Sequence, residues 1–210
     1  MDVYEECDGI AVEYNINELI SNMSLMQDYL KLMVYTDGTT ISDHISDETY
    51  QKAKEYFEST GQYNSMLDYY MPGFWLSQIQ SIALLNIENL NAEGVDSTFI
   101  SYAEKDNKEI VNIETLEIQA SAIKGYSDEL ADYVLLDLIE NIYDLDALAI
   151  EFSELYNIWA LGEIDDFVTT ELDYQDLPDE LLEDYINYEK ILLDDRNEGM
   201  ALKAAEFIDN

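Results

Sequence analysis

One cysteine (Cys7), one histidine (His44) and one arginine (Arg196) are all that the chain has of three chemically versatile residue types. A single thiol excludes an internal disulfide and any multi-cysteine metal site. A single histidine excludes a two-histidine metal centre built from one copy of this sequence. There is no glycine-rich phosphate loop, no Gly-x-Ser-x-Gly elbow and no Cys/His pair, so the common nucleotide-binding and nucleophilic-hydrolase patterns are absent. Calcium-loop spacing is also missing, which leaves the acidic runs at 143–146 and 163–166 as weak evidence for calcium. No apolar run approaches the roughly 20 residues of a membrane span. The first residues, MDVYEECDGIAVEY, have neither a basic start nor an apolar stretch, so no targeting signal is expected there.

Basic residues are scarce too, nine against 47 acidic ones, for a formal charge of −38. The imbalance is steeper after Gly125, with 25 acidic residues against three basic, than before it, with 22 against six. Such a field repels nucleic acid and anionic membranes and attracts cations and basic proteins. Direct nucleic-acid binding is therefore not expected. A solvated acidic surface and imitation of DNA toward a basic partner are both compatible with the charge. Hydrophobic residues make up 48% of the 210 residues, enough to bury a core, which separates the chain from disordered acidic tails.

The patterning predicts an α/β protein that is predominantly helical. Strands are expected near 9–14 and 109–114, each an apolar β-branched run ending in glutamate. A helix is expected over 17–33. Ser46 reads as the N-cap of a second helix reaching about Ser59 and burying Tyr50, Ala53 and Phe57. A short helix near 63–70 precedes one opened by Pro72, with Trp75, Ile79, Ile82 and Leu85 along it. Gly94-Val95-Asp96 opens the next. Ser127 caps a long pattern with Leu130, Val134, Leu138 and Ile142 in a stripe, continued by Leu145, Leu148, Phe152, Leu155 and Trp159. It is too long for one helix, so a break is expected between Asp144 and Leu148, and Gly162 ends it. Helices from Pro178 to about Leu193 and from Arg196 to Ile208 complete the chain. Trp75, Trp159 and the tyrosines read as packing residues. Two strands alone make no stable sheet, so the small sheet is expected to be incomplete within this sequence.

Four residues carry the candidate chemistry. In parallel sheets, ligands collect beyond the carboxyl ends of strands, which is where Glu13 and Glu114 would lie. Each can be a metal ligand or general base, or else a capping or solvent-facing carboxylate. Arg196 is either a clamp on a buried carboxylate or an anion-binding group, and Asn197 beside it can share either role. His44 lies in a polar loop and reads as a surface residue.

Several segments, in order, resemble the TraB/GumN family, whose animal relatives are the Tiki proteins. Asp8-Gly9-Ile10-Ala11-Val12-Glu13 is similar to its "D-a-h-h-h-E" strand, and Met71-Pro72-Gly73-Phe74-Trp75 to its "P-w" helix start. Gly94-Val95-Asp96 with Ala103 and Lys108 is similar to "G-h-D…A…g-K", and Ile113-Glu114-Thr115 with Gln119 to "L-E-T…Q". Trp159-Ala160-Leu161-Gly162-Glu163 is similar to "W…G-d", and Asp195-Arg196-Asn197 with Met200 to "R-N…W/M". The resemblance runs from about Val3 to Ile208.

It implies a split α/β fold with a helical region between half-sheets, and a metal-dependent peptidase or hydrolase using manganese or cobalt on a peptide or protein substrate. It further implies an extracytoplasmic or membrane-attached setting for many members. The family's paired Gly-x-x-His motifs are absent here. The expectation is thus a single domain over 1–210, truncated at both ends and inactive as given, with no metal bound by the fragment itself. Carried over by residue, Glu13 becomes the metal-site carboxylate, and Glu114, Arg196 and Asn197 become accessory site or structural residues. The competing expectation is a non-enzymatic acidic decoy for a basic DNA-binding protein.

Overall fold

The computed structural model describes residues 2–87, 94–162 and 177–208. The acidic run at 163–166 lies outside them, as does Glu163 of the matched tryptophan motif. Two compact units divide the chain: Met1–Thr36, Glu93–Gly125 and Tyr188–Asn210 form the first, and Asp37–Ala92 and Tyr126–Asn187 the second.

The first unit holds the sheet. Strand β1 (Gly9–Val12) pairs in parallel with β2 (Glu109–Asn112), Gly9 opposite Glu109 and Val12 opposite Asn112. Both strands stop short of the glutamates predicted to end them, so Glu13 and Glu114 sit just past the carboxyl ends. Gly9 is required by the pairing itself, because a Cβ there would come within 2.9 Å of both Cβ and O of Glu109.

Before β1 runs the short helix α1 (Asp2–Glu6). Its last carbonyls are met by Lys108, whose Nζ donates to Tyr4 O at 2.9 Å and to Cys7 O, and lies 4.8 Å from the Tyr4 ring centroid. That is how a cation satisfies a helix C-terminus. Tyr4 itself is buried and donates its hydroxyl to Asp106 Oδ2 at 2.9 Å.

The helix expected over 17–33 is two helices, α2 (Ile16–Ser21) and α3 (Met23–Lys31). Asn22 divides them: its side-chain oxygen accepts from Ser24 N and Leu25 N, a local hydrogen bond that competes with helix continuation. Beyond residue 93, α6 (Val95–Asp106) packs on the sheet and ends at Asn107, which takes the left-handed conformation (φ 56°). Then follow β2, α7 (Leu116–Lys124) and, at the end of the chain, α11 (Asp195–Ile208). With Tyr4, the buried apolar residues of this unit among those described are Val12, Leu19, Met33, Ile100, Ala103 and Ala120.

The second unit is helical among its described residues. Ser46 caps α4 (Asp47–Ser59) as predicted, accepting from Thr49 N at 3.3 Å. Ala53 and Phe57 are buried as expected, together with Thr49 and Tyr56, while Tyr50 is half-buried. The predicted 63–70 helix is only a 3-10 turn, Leu67–Tyr69. Its Leu67 carbonyl accepts from Trp75 Nε1 at 2.9 Å.

Pro72 opens α5 (Pro72–Asn86), on which Trp75 is fully buried with its ring 5.1 Å from Phe57. Ser127 caps α8 (Asp128–Asn141), which packs against α4 and α5. Lys52 of α4 reaches Glu140 of α8 at 2.7 Å. The core stripe of α8 is Leu130, Ala131, Leu135 and Ile139, one step over from the predicted Val134 and Leu138.

The expected break falls at Asp144, which caps α9 (Leu145–Leu161) through Ala147 N, and Gly162 ends α9 in the left-handed conformation. The apolar stripe does not continue into the core there. Trp159 is 55% exposed, and none of the described side chains of α9 is buried. A helix with apolar residues on every side leaves some of them in solvent whichever face it turns inward.

A 3-10 turn at Asp179–Leu181 leads into α10 (Leu182–Glu189), whose last two residues already belong to the first unit. The helical path does not stop at Leu193 but runs through a π turn, Lys190–Asp194, directly into α11.

Candidate functional site

The carboxyl ends of β1 and β2 are pinned together before any side chain is considered. Glu114 N donates to Glu13 O at 2.9 Å and Ile113 N to Val12 O at 2.9 Å. Asn15 N donates to Asn112 Oδ1 at 2.8 Å, fixing the chain as it leaves β1. Thr115 then caps α7, so Glu114 is held between a strand and a helix start.

Onto this rim Arg196 closes from α11. Its Nε donates to Glu114 Oε1 at 2.8 Å and its Nη2 to Glu114 Oε2 at 2.7 Å, a two-point fork. The same Nη2 donates to Glu13 Oε2 at 2.9 Å, and Nη1 turns back to Leu192 O at 3.3 Å. Gln119, on α7, completes the cluster: its Nε2 donates to Glu13 Oε2 at 3.0 Å and to Glu114 Oε2.

Burial divides the two carboxylates. The Glu114 side chain is 1% exposed, Arg196 11% and Glu13 50%. Glu114 is thus the buried anchor of the guanidinium, and its bonds, followed by the nearby Glu13, hold the arginine's proton above its ordinary range. Glu13 is gripped through Oε2 alone, which leaves Oε1 available on the exposed side.

Three of the four predicted residues, Glu13, Glu114 and Arg196, therefore meet, and Asn197 does not. Adjacent helical residues point about 100° apart, and Asn197 is exposed with no hydrogen bond to the cluster. Gln119 was not among the four, although it stands in the matched motif. The signal for its role is its place one turn into the helix that begins just past Glu114.

A cavity of about 250 Å³ opens beside Glu13, with Tyr14, Tyr29, Asp96 and Leu116 in its wall. Burial raises the Tyr29 hydroxyl above its ordinary range, against the opposing pull of Arg196. A second cavity of about 460 Å³ lies beside Glu114 and Arg196, lined by Ile118, Ile191, Met200 and Lys203.

The sequence pattern of the TraB/PrgY/gumN family matches residues 1–210. The chain belongs to that family. No curated protein and no solved structure matches it.

For a TraB/PrgY/gumN member the question is whether these residues fit a divalent metal. Among the described residues no group of three or more His, Cys, Asp or Glu is placed to hold one. Glu13 offers one free oxygen, and a divalent ion needs several ligands. His44 does not supply them. It belongs to the second unit, where Nδ1 pairs with Asp128 Oδ2 at 2.9 Å and Nε2 with Thr39 Oγ1 at 2.8 Å. It is half-buried, a strut between a loop and the start of α8 rather than the surface residue expected. The described residues thus fit one corner of a metal site and not a whole one. Among them, no helix is long and apolar enough to cross a membrane.

Proposed function

We propose that the Glu13–Arg196–Glu114–Gln119 cluster is the protein half of a metal-dependent peptidase site, with Glu13 the carboxylate that meets the metal. The observation that carries this reading is the asymmetry of the two glutamates. Glu114 is spent on fixing Arg196, whereas Glu13 is oriented by two donors on one oxygen and keeps the other free at the strand end. Orientation of a ligating carboxylate by hydrogen bonds is the usual support for a metal ligand. Ligands beyond Glu13 have to come from outside the described residues, and this sequence alone does not hydrolyse peptides. Peptide or protein is the substrate class, in keeping with the family resemblance, and manganese or cobalt the metal.

Manganese titration followed by amide NMR tests the assignment apart from catalysis. Weak paramagnetic broadening at millimolar manganese is expected to include residues 13–15, as one ligating oxygen allows, and to be lost there in Glu13→Gln. Broadening spread evenly over the acidic surface, unchanged by that substitution, would remove Glu13 from metal binding. Peptide hydrolysis by this 210-residue chain with manganese or cobalt would overturn the claim that it is inactive alone.

A further inference from the structure

Strand β1 has an open side. Glu109 N donates to Asp8 O at 3.2 Å and Ile113 N to Val12 O at 2.9 Å. With Gly9 opposite Glu109, the alternation of a parallel ladder turns the backbone groups of Ile10 and Val12 toward β2 and those of Gly9 and Ala11 away from it. Among the described residues no strand pairs on that outer side. No hydrogen bond takes up the outward amide or carbonyl of Ala11 there either, and Ala11 is exposed. Unpaired strand edges are templates for a further strand.

The space beside this edge is shaped and apolar. A cavity of about 370 Å³ is lined by Gly9 and Ala11 of β1, Tyr4 of α1, Phe99 and Asp96 of α6, and Phe207 of α11. The small residues Gly9 and Ala11 let another backbone come close, and the three rings offer apolar contact to alternate side chains of a visitor. The charged residues near it are mostly acidic. Asp96 lines the cavity, and Asp8 and Glu109 are exposed at the strand's start. The nearby cation, Lys108, is committed to the carbonyls of α1. A basic visitor is favoured.

We propose that the outer edge of β1 binds an extended basic peptide as a third strand, carrying its backbone along β1 toward Glu13. This rests on the peptidase reading only for the claim that the peptide is a substrate; binding itself is independent of metal.

The test uses fluorescein-labelled acetyl-Lys-Val-Thr-Val-Thr-Lys-amide and the metal-free protein, read by fluorescence anisotropy. Saturable binding is expected, weakened about tenfold or more by Ala11→Pro, which deletes an outward donor and leaves the ladder to β2 intact. Binding should also alternate with position when single peptide nitrogens are methylated, a pattern that needs no variant of the protein to fold. The same peptide with proline at both threonines should not bind.

Absence of saturable binding would overturn the proposal. So would equal binding by the proline peptide, which would mean charge attraction only, or equal loss at every methylated position. Concentration-dependent dimerisation abolished by Ala11→Pro would assign the edge to a second copy instead. Strand-like binding together with manganese broadening that Glu13→Gln leaves unchanged would leave this edge standing and bring down the peptidase reading.

Discussion

Arg196→Met tests the cluster most directly. In the native protein three guanidinium bonds, at 2.7, 2.8 and 2.9 Å, face two carboxylates. Removing the arginine leaves Glu114, with a side chain 1% exposed, facing only the amide of Gln119. Breaking a buried pair from one side costs about 3–5 kcal/mol, against a total stability of roughly 5–15 kcal/mol for a typical domain. Glu13 adds little to that figure because it is half in water.

The assay has to see the first unit, and tryptophan fluorescence cannot, because Trp75 and Trp159 both lie in the second. Hydrogen exchange of the β1 and β2 amides does see it. A loss of about 3 kcal/mol speeds the slowest of them roughly a hundredfold. The double variant Arg196→Met/Glu114→Leu should cost less than the sum of its singles by about 1 kcal/mol or more, since the stranded charge is gone. A change under about tenfold in Arg196→Met, or strict additivity in the cycle, would refute the view that Glu114 depends on Arg196.

Two further outcomes follow from particular contacts. Gly9→Ala places a methyl 2.9 Å from Glu109 Cβ and O and 3.3 Å from Phe207, and should cost about 1–3 kcal/mol in urea unfolding of the first unit; an unchanged midpoint would show that the strands can separate freely. Burial and the Asp106 bond push the Tyr4 hydroxyl up to about 12 from an ordinary value near 10. The unfolded chain therefore loses this proton first, so Tyr4 stabilises the fold below pH 10 and that contribution falls away as pH rises toward 12. In Tyr4→Phe the decline in stability over that window, followed by circular dichroism, should be shallower than in the native protein.

Much of this architecture is written locally. Ser46, Ser127, Pro72 and Gly162 mark helix ends because a cap is decided by a few neighbouring residues, and all four act where expected. The two strands were legible as short β-branched runs with a glutamate at the carboxyl end of each, although both strands stop before that glutamate. Asn22 misled because asparagine is compatible with both a helix interior and a cap, and its own side chain decides between them. Trp159 misled because periodicity reports which residues share a face, not whether anything covers it. The union of Glu13 with Arg196, 183 residues apart, was beyond any local signal. Asn197 adjoins Arg196 in sequence, but helix geometry turns it away from the cluster.

The pairing of residue 9 with residue 109 also has a consequence in time. A ribosome adding about 5–20 residues per second leaves β1 waiting roughly 5–20 s for its partner strand, and about twice that for Arg196. Throughout that interval the apolar run Ile10-Ala11-Val12 lacks the pairing with β2. The acidic residues Asp8 and Glu13 flank it, and charges so placed disfavour the pairing of like strands from neighbouring chains. The half-exposed Glu13, just past the strand, thus carries a charge that matters before Arg196 has been made as well as after.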